Sequence, residues 1–128
     1  MTNDPTRLRE PPRDRFETQV RLVSLNQAFE ELPHESIERQ GHIQKALFRH
    51  GPTTTAIFLF EADSRLREHA MDGEAIIHVL EGRVTIQAEG QFHELAPNDL
   101  MLLKPRVQHD IEASETTRLL MHVVLEEA

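Results

Sequence analysis

From residue 42 onward, the chain alternates between short apolar or β-branched runs and turn residues. The runs recur about every eight to twelve residues, a spacing typical of an all-β sandwich or barrel, and Gly, Pro, Asn, Asp or Ser bounds each one. The pattern predicts strands at residues 42–50, 53–60, 65–69, 75–80, 83–88, 91–95, 100–104, 107–113 and 118–125. Glu89 and Gly90 predict a hairpin between two of these strands.

The first part of the chain has a different pattern. Residues 1–15 are polar with mixed charge, which predicts a flexible N-terminal arm. Residues 16–23 alternate weakly and predict an edge strand. Ser24, with a glutamine three residues later, is typical of a helix start, and Pro33 ends this short helix. We therefore expect residues 16–128 to form one domain.

Composition narrows the possible classes of function. A length of 128 residues suits one domain, and a formal charge of -8 without a basic cluster argues against a nucleic-acid partner. The absence of cysteine excludes disulfides, thiolate zinc sites and a cysteine nucleophile. No apolar run approaches the roughly 18 residues of a membrane span. We therefore expect a cytoplasmic protein with no membrane or nucleic-acid partner.

Two groups of residues resemble the paired motifs of the cupin family. The first group begins at His69 and ends with Val79-Leu80-Glu81-Gly82; the second comprises Leu95-Ala96-Pro97-Asn98-Asp99, Pro105 and His109. Asn98 stands where cupins usually place glycine, and asparagine tolerates the left-handed backbone that such a turn needs. The resemblance covers residues 55–125. It implies a cupin jelly-roll β-barrel with a pocket inside one end, preceded here by the short helix and the polar arm.

Many cupins bind a divalent metal through two histidines, a glutamate and a last histidine. The resemblance assigns these four positions to His69, Met71, Ala75 and His109. Met71 offers a thioether, which suits copper(I) better than iron, manganese or zinc, and Ala75 has no donor. The resemblance therefore implies an incomplete site, which leaves open whether one divalent transition metal (Fe, Mn, Ni, Zn or Cu) binds.

A third metal ligand could come from a residue such as Glu74, His122 or Met71. Glu74 is one residue from the expected position, and a shift of one residue along a strand turns the side chain to the other face unless the strand bulges. His122 lies among apolar residues, where a histidine is more often buried and hydrogen-bonded than a metal ligand. On this basis the predicted pocket is lined by His69, Met71, Ala75, Ile77, His109 and His122.

Three functions are compatible with these residues, and whether the protein is an enzyme stays open. The first is binding of a small molecule, with His69 and His109 as polar contact groups in an apolar pocket. The second is a metal-dependent oxygenase or isomerase that uses His69, His109 and a third ligand. The third is metal-free acid–base catalysis by a pocket histidine.

The expected partners are a small-molecule ligand and a second copy of the chain. Cupins are often dimeric, so the resemblance implies a homodimer. Residues 54–60 are strongly β-forming. We expect this strand to offer a sheet edge or face to the partner.

Overall fold

The computed structural model describes residues 19–126, without the side chains of Glu38, Arg39, Glu68 and His69. The predicted arm at residues 1–15 and the first residues of the predicted edge strand lie outside this description. Residues 19–23 form no strand, so the described part of that prediction is wrong. No helix within residues 19–126 is long and apolar enough to cross a membrane.

The predicted helix is present as α1 (Leu25–Glu30). The Ser24 hydroxyl accepts a hydrogen bond from the Gln27 backbone N–H at 3.2 Å, which satisfies one of the free donors at a helix start. The Gln27 side chain does not return to the helix start, because its amide donates to the Glu31 carboxylate at 3.1 Å. A 3₁₀ turn (His34–Ser36) and a second short helix, α2 (Ile37–Gln40), lead to the first strand.

Nine strands follow within the described residues, and they confirm the prediction of an all-β fold. Their bounds are β1 His42–His50, β2 Thr53–Phe60, β3 Ser64–His69, β4 Gly73–Glu81, β5 Val84–Ala88, β6 Gln91–Leu95, β7 Leu100–Leu103, β8 His109–Ala113 and β9 Thr117–Leu125. The strand predicted from residue 107 begins two residues later, because residues 105 and 106 form a turn and residues 107 and 108 have no regular structure.

The strands form two antiparallel sheets, as in a jelly roll. The five-stranded sheet has the order β1-β2-β9-β4-β7, and the four-stranded sheet has the order β3-β8-β5-β6. β2 lies between β1 and β9. The expectation that residues 54–60 offer a sheet edge to a partner is therefore wrong, since neighbouring strands pair with both edges. A sheet face as the contact stays a prediction, because residues 53–56 are partly exposed.

Side-chain alternation along β2 contributes to two separate cores. Phe58 and Phe60 point between the two sheets and belong to the inner core. Ile57 and Leu59 point to the other side, where they pack with Phe29 of α1 in an outer core. The helical segment therefore covers part of the outer face of the five-stranded sheet, while the inner core lies between the sheets.

Three tight turns fix the connections between strands. Glu89 and Gly90 have φ values of 53° and 77°, which suits the type I′ turn of a two-residue hairpin and confirms the predicted one. Asn98 has a φ of 76°, so the left-handed backbone predicted there is present. Gly82 has a φ of 95°, and an added Cβ would overlap the hydroxyl of Thr117.

Candidate functional site

The inner core is closed at one end of the sandwich and opens at the other. Phe60, Leu119 and Ala113 are completely buried at the closed end. Toward the other end of the same sheets, Ala56 and Val123 are only partly buried. This graded exposure along neighbouring strands shows which end of the interior is open to solvent.

Two pockets lie at the open end. The larger, of about 610 Å³, lies between the β5–β6 hairpin and the segment before β8 and is lined by Gln87, Ala88, Glu89, Gly90, Arg106, Val107, Gln108, His109 and Asp110. The second, of about 440 Å³, includes Met101 and Leu103 of β7. Both pockets contact Ala88, Glu89 and Val107, so they are adjoining parts of one opening.

Among the described side chains, His109 is a buried ionisable residue at this opening. The alternation of β8 places His109, Ile111 and Ala113 on the inner face, and His109 is 3% exposed. Its Nδ1 lies 3.2 Å from the carbonyl oxygen of Val107. A carbonyl only accepts, so Nδ1 carries the proton, and in the neutral ring Nε2 is then the acceptor. Such a nitrogen can accept a hydrogen bond, take up a proton or bind a metal.

His69 lies directly opposite His109 in the ladder between β3 and β8. The pairing is irregular between Leu66 and His69, so the end of β3 departs from a regular strand. The side chain of His69 is outside the description. The backbone therefore brings the two residues together, and a joint role of the two imidazoles stays a prediction.

The other inner residues of the predicted pocket differ in depth. Ala75 and Ile77 are almost completely buried in the inner core, where they form its wall below the opening. Met71 packs against the same core while partly exposed. Its carbonyl accepts a hydrogen bond from the Arg106 backbone N–H at 2.7 Å. Met71 therefore lies at the rim of the opening, and Ile77 lies deeper in the inner core.

An ion pair lies on one side of the rim of the opening. The Arg106 guanidinium donates to the Glu126 carboxylate, and the Glu126 backbone N–H donates to the Asp72 carbonyl at 2.9 Å. The hydrogen bond and charge of Glu126, followed by the charge of Asp72, raise the pKa of Arg106 above its ordinary value. Arg106 therefore stays charged, and it links the segment before β8 to the end of β9.

Glu74 and His122 do not belong to this site. Glu74 is exposed on the face opposite Ala75, and β4 pairs regularly with β9 from Gly73 to Val79, so no bulge turns Glu74 inward. His122 also faces outward, where its Nδ1 lies 3.1 Å from the Thr55 hydroxyl. The prediction that either residue completes a metal site with His109 is therefore wrong, as is His122 as an inner pocket residue.

The donor atoms of the inner face do not form the metal site of a typical cupin. Among the described side chains, no three His, Asp or Glu residues lie close enough together to hold a metal ion. Of the assigned positions, Met71 offers a thioether and Ala75 offers no donor. Two histidines would leave most of a coordination sphere to water. The residues present therefore do not fit the four-ligand set of a typical cupin, in agreement with the incomplete site that the resemblance implies.

Sequence reasoning missed three apolar residues of the opening. Ala88 follows Val84 and Ile86 on the inner face of β5, and the period-2 alternation of that strand already contains this signal. Met101 follows the same period-2 alternation in β7, where it lies between two outward-facing leucines. Val107 lies outside any strand, but in the predicted strand 107–113 it shares a face with His109, so the same alternation would have indicated it.

Comparisons with known proteins agree with this architecture. The family model described as the AraC-like ligand binding domain matches residues 51–125. These residues include all nine strands except β1, and they contain both histidines of the opening. No curated protein matches the chain.

Solved structures with the same fold include two small cupins. A cupin superfamily protein from Desulfitobacterium hafniense has a TM-score of 0.64 and 19% identity, over 66% of this chain and 78% of that chain. An RmlC-like cupin from Shewanella frigidimarina has a TM-score of 0.64 and 17% identity, over 69% and 79% of the two chains. At such low sequence identity, these structural matches establish only the fold, and they confirm the predicted cupin jelly roll.

A larger protein contains the same fold as one part. A salicylate 1,2-dioxygenase variant from Pseudoaminobacter salicylatoxidans has a TM-score of 0.72 and 13% identity. The match covers 80% of this chain and 34% of the dioxygenase. The similarity again concerns the fold, since about two thirds of the dioxygenase have no counterpart in the match.

Proposed function

The chain belongs to the AraC-like ligand binding domain family, and from this premise we propose that it binds a small molecule at the open end of the barrel. In this proposal His109 and His69 provide polar contacts, and the apolar residues around the opening provide part of the contact area. Small-molecule pockets typically combine apolar walls with a few placed polar groups. The opening contains both kinds of group: Ala88, Met101 and Val107 are apolar, and polar side chains such as Gln87 and Arg106 lie beside His109.

The observation that carries this proposal is the burial of His109 at the open end of an otherwise apolar inner face. Burying a polar ring costs free energy unless hydrogen bonds compensate for it. The Nδ1–H bond to Val107 compensates for one nitrogen and orients the ring. His109 also lines the larger pocket, so we expect a ligand with a polar group that contacts the imidazole.

A thermal-shift screen of small metabolites tests the proposal. A ligand at ten times its dissociation constant adds about 1.4 kcal/mol to the stability of the folded state, which raises the melting temperature of a domain of this size by roughly 5 °C. We expect such a shift in the wild type and its loss in His109→Ala and in the more conservative His109→Asn. The control His50→Ala changes an exposed histidine at the end of β1 and should keep the shift.

Two results would contradict the ligand-binding proposal. One is an equal shift in the wild type and in a folded His109 variant, which would place the ligand elsewhere. The other is the absence of any shift across a broad screen. Circular dichroism of each variant without ligand shows whether the barrel is folded, so loss of binding is not confused with loss of structure.

A metal-dependent oxygenase or isomerase is the alternative, favoured by the opposed positions of His69 and His109. Elemental analysis of untagged protein separates the two functions. About one metal per chain, lost in a folded His109→Asn variant, would favour the enzyme. If the protein contains no metal and substitution of His109 abolishes a catalytic activity, the result would instead indicate acid–base catalysis by the imidazole.

A further inference from the structure

Another cavity lies away from the opening, where the edges of the two sheets meet. β1 ends the five-stranded sheet and β3 ends the four-stranded sheet, and these two strands contact each other without pairing. A cavity of about 560 Å³, here called the β1–β3 cavity, lies between β1 and Leu66 of β3, and residues of the segment from Pro33 to Gln40 complete its wall. None of its lining residues belongs to either pocket at the open end.

His42 occupies the inner face of β1, near the closed end of the barrel. It lies opposite Phe60 in the ladder between β1 and β2, and directly opposite residues point to the same face of a sheet. The two rings are stacked, with centroids 5.4 Å apart and planes 24° from parallel. Phe60 therefore covers one face of the imidazole, and the other face is directed toward the free edge of β1, where His42 lines the cavity.

The imidazole of His42 has a nitrogen atom that the described residues do not satisfy. Its Nδ1 is buried, and within residues 19–126 no group forms a hydrogen bond with it. Buried polar atoms nearly always have a partner, so each exception requires an explanation. An unpaired N–H is rarer than an unpaired acceptor, which favours the tautomer with the proton on Nε2. Nε2 is not sealed from solvent as Nδ1 is, so it can donate to a molecule in the cavity.

The other polar side chains of the cavity are uncharged. They belong to Ser36, Gln40 and Gln44, and these side chains form no hydrogen bond within the described part of the chain. Each amide offers both a donor and an acceptor. No charged residue is among the described lining, whereas the larger pocket at the open end includes Arg106 and Asp110. The two sites therefore differ in the kind of ligand that they suit.

We propose that the β1–β3 cavity is a second binding site, which takes an uncharged planar nitrogen heterocycle. The ring of the ligand stacks on the open face of His42. Gln40 and Gln44 pair with its donors and acceptors, as glutamine does with the edge of a nucleobase, and Pro33 and Leu66 contact its apolar parts. A charged ligand is disfavoured, because no described side chain of the cavity could compensate for its charge.

NMR titration of the full-length protein with labelled methyl groups tests the site. The probes are adenine, cytosine and nicotinamide, which are planar, uncharged and carry both donors and acceptors. We expect at least one of them to shift the methyl signals of Ile43 and Leu66, but not that of Met101 at the open end, with a dissociation constant on the order of 1 mM, as is usual for a compound of this size. Benzoate, a planar anion, should bind more weakly.

Two variants test the residues that contact the heterocycle. His42→Ala removes the stacking face and the donor, and should weaken binding at least ~10-fold. Gln44→Leu removes one exposed amide while retaining the size of the side chain, and should weaken binding ~5-fold. The control His50→Ala changes an exposed histidine at the other end of β1 and should bind as the wild type does. Circular dichroism shows whether each variant is folded.

Four results would overturn the proposal. The first is no shift of Ile43 or Leu66 with any of the three probes at about 10 mM, ten times the expected dissociation constant. The second is a shift confined to Met101, which would place the probe at the open end. The third is equal binding of benzoate, and the fourth is wild-type affinity in Gln44→Leu or in folded His42→Ala. Because Gln44 is exposed, its variant decides the matter even if His42→Ala does not fold.

Discussion

At the scale of single residues, Thr117 is a buried polar group whose hydroxyl organises the closed end of the barrel. Thr117 is 0% exposed. Its Oγ1 accepts a hydrogen bond from the Arg83 backbone N–H at 3.1 Å and lies 2.8 Å from the Glu115 carbonyl, to which it can donate. The hydroxyl therefore connects the start of β9 with the turn at Gly82, where the close approach excludes any side chain.

We expect Thr117→Val to lower the free energy of unfolding by about 1–3 kcal/mol, because the change leaves the partly buried Arg83 backbone N–H without its acceptor. The shape of the side chain is retained, so the loss reports the hydroxyl and not a cavity. Thr116→Val is the control, since its side chain is exposed and should change stability little. Urea denaturation measures both, and equal stability of Thr117→Val and the wild type would contradict this role.

The residues of the site differ in how far sequence could predict them. His109 was predictable, because its motif resembles the second cupin motif and its strand alternates regularly. His122 was not, since its apolar neighbours fit either face of β9. Its outward direction depends on the pairing with β2, in which His122 lies opposite Thr55. Sequence can suggest which residue types matter, but strand register decides which of them meet.

At the scale of elements, the turn before β7 depends on one left-handed residue. Asn98 has a φ of 76°, and its backbone N–H donates to the Val79 carbonyl at 2.7 Å. This turn places β7 beside β4. Asn98→Ala should lower the free energy of unfolding by about 1–2 kcal/mol, because an ordinary side chain disfavours this conformation, whereas Asn98→Gly should retain stability.

Denaturant unfolding of the two Asn98 variants gives the comparison directly. Asn26→Ala, which changes an exposed residue within α1, controls for the loss of an asparagine side chain in general. A stability of Asn98→Ala equal to that of Asn98→Gly would show that the left-handed backbone costs nothing here. It would also remove the reason for asparagine at this position.

Strand positions were largely predictable from sequence, while strand order was not. The alternation of apolar runs and turn residues gave all nine strands, and the bounds of β1, β2 and β6 agree with the prediction. The central position of β2 depends on pairing with β9, about sixty residues later. Long-range pairing leaves no local signal, so β-forming composition alone could not distinguish a central strand from an edge.

At the scale of the whole molecule, one sheet separates two cores and belongs to both. The inner core contains Phe58 and the pocket wall, and the outer core contains Ile57 and the helix residue Phe29. Adjacent residues of β2 therefore face different cores. Because the same strands support both, we expect the helix layer and the barrel to unfold together.

Phe29→Ala tests this coupling. Phe29 is 1% exposed, and the Arg118 guanidinium lies 4.8 Å from its ring centroid, so the change removes both packing and a cation–π contact. We expect a loss of about 3–5 kcal/mol of unfolding free energy with a single transition. Far-UV circular dichroism and NMR signals of inner-core methyl groups should give the same midpoint.

Phe92→Ala, at an exposed position, should change the midpoint little. Separate midpoints for the two probes in Phe29→Ala would show that the barrel folds independently of the helix layer.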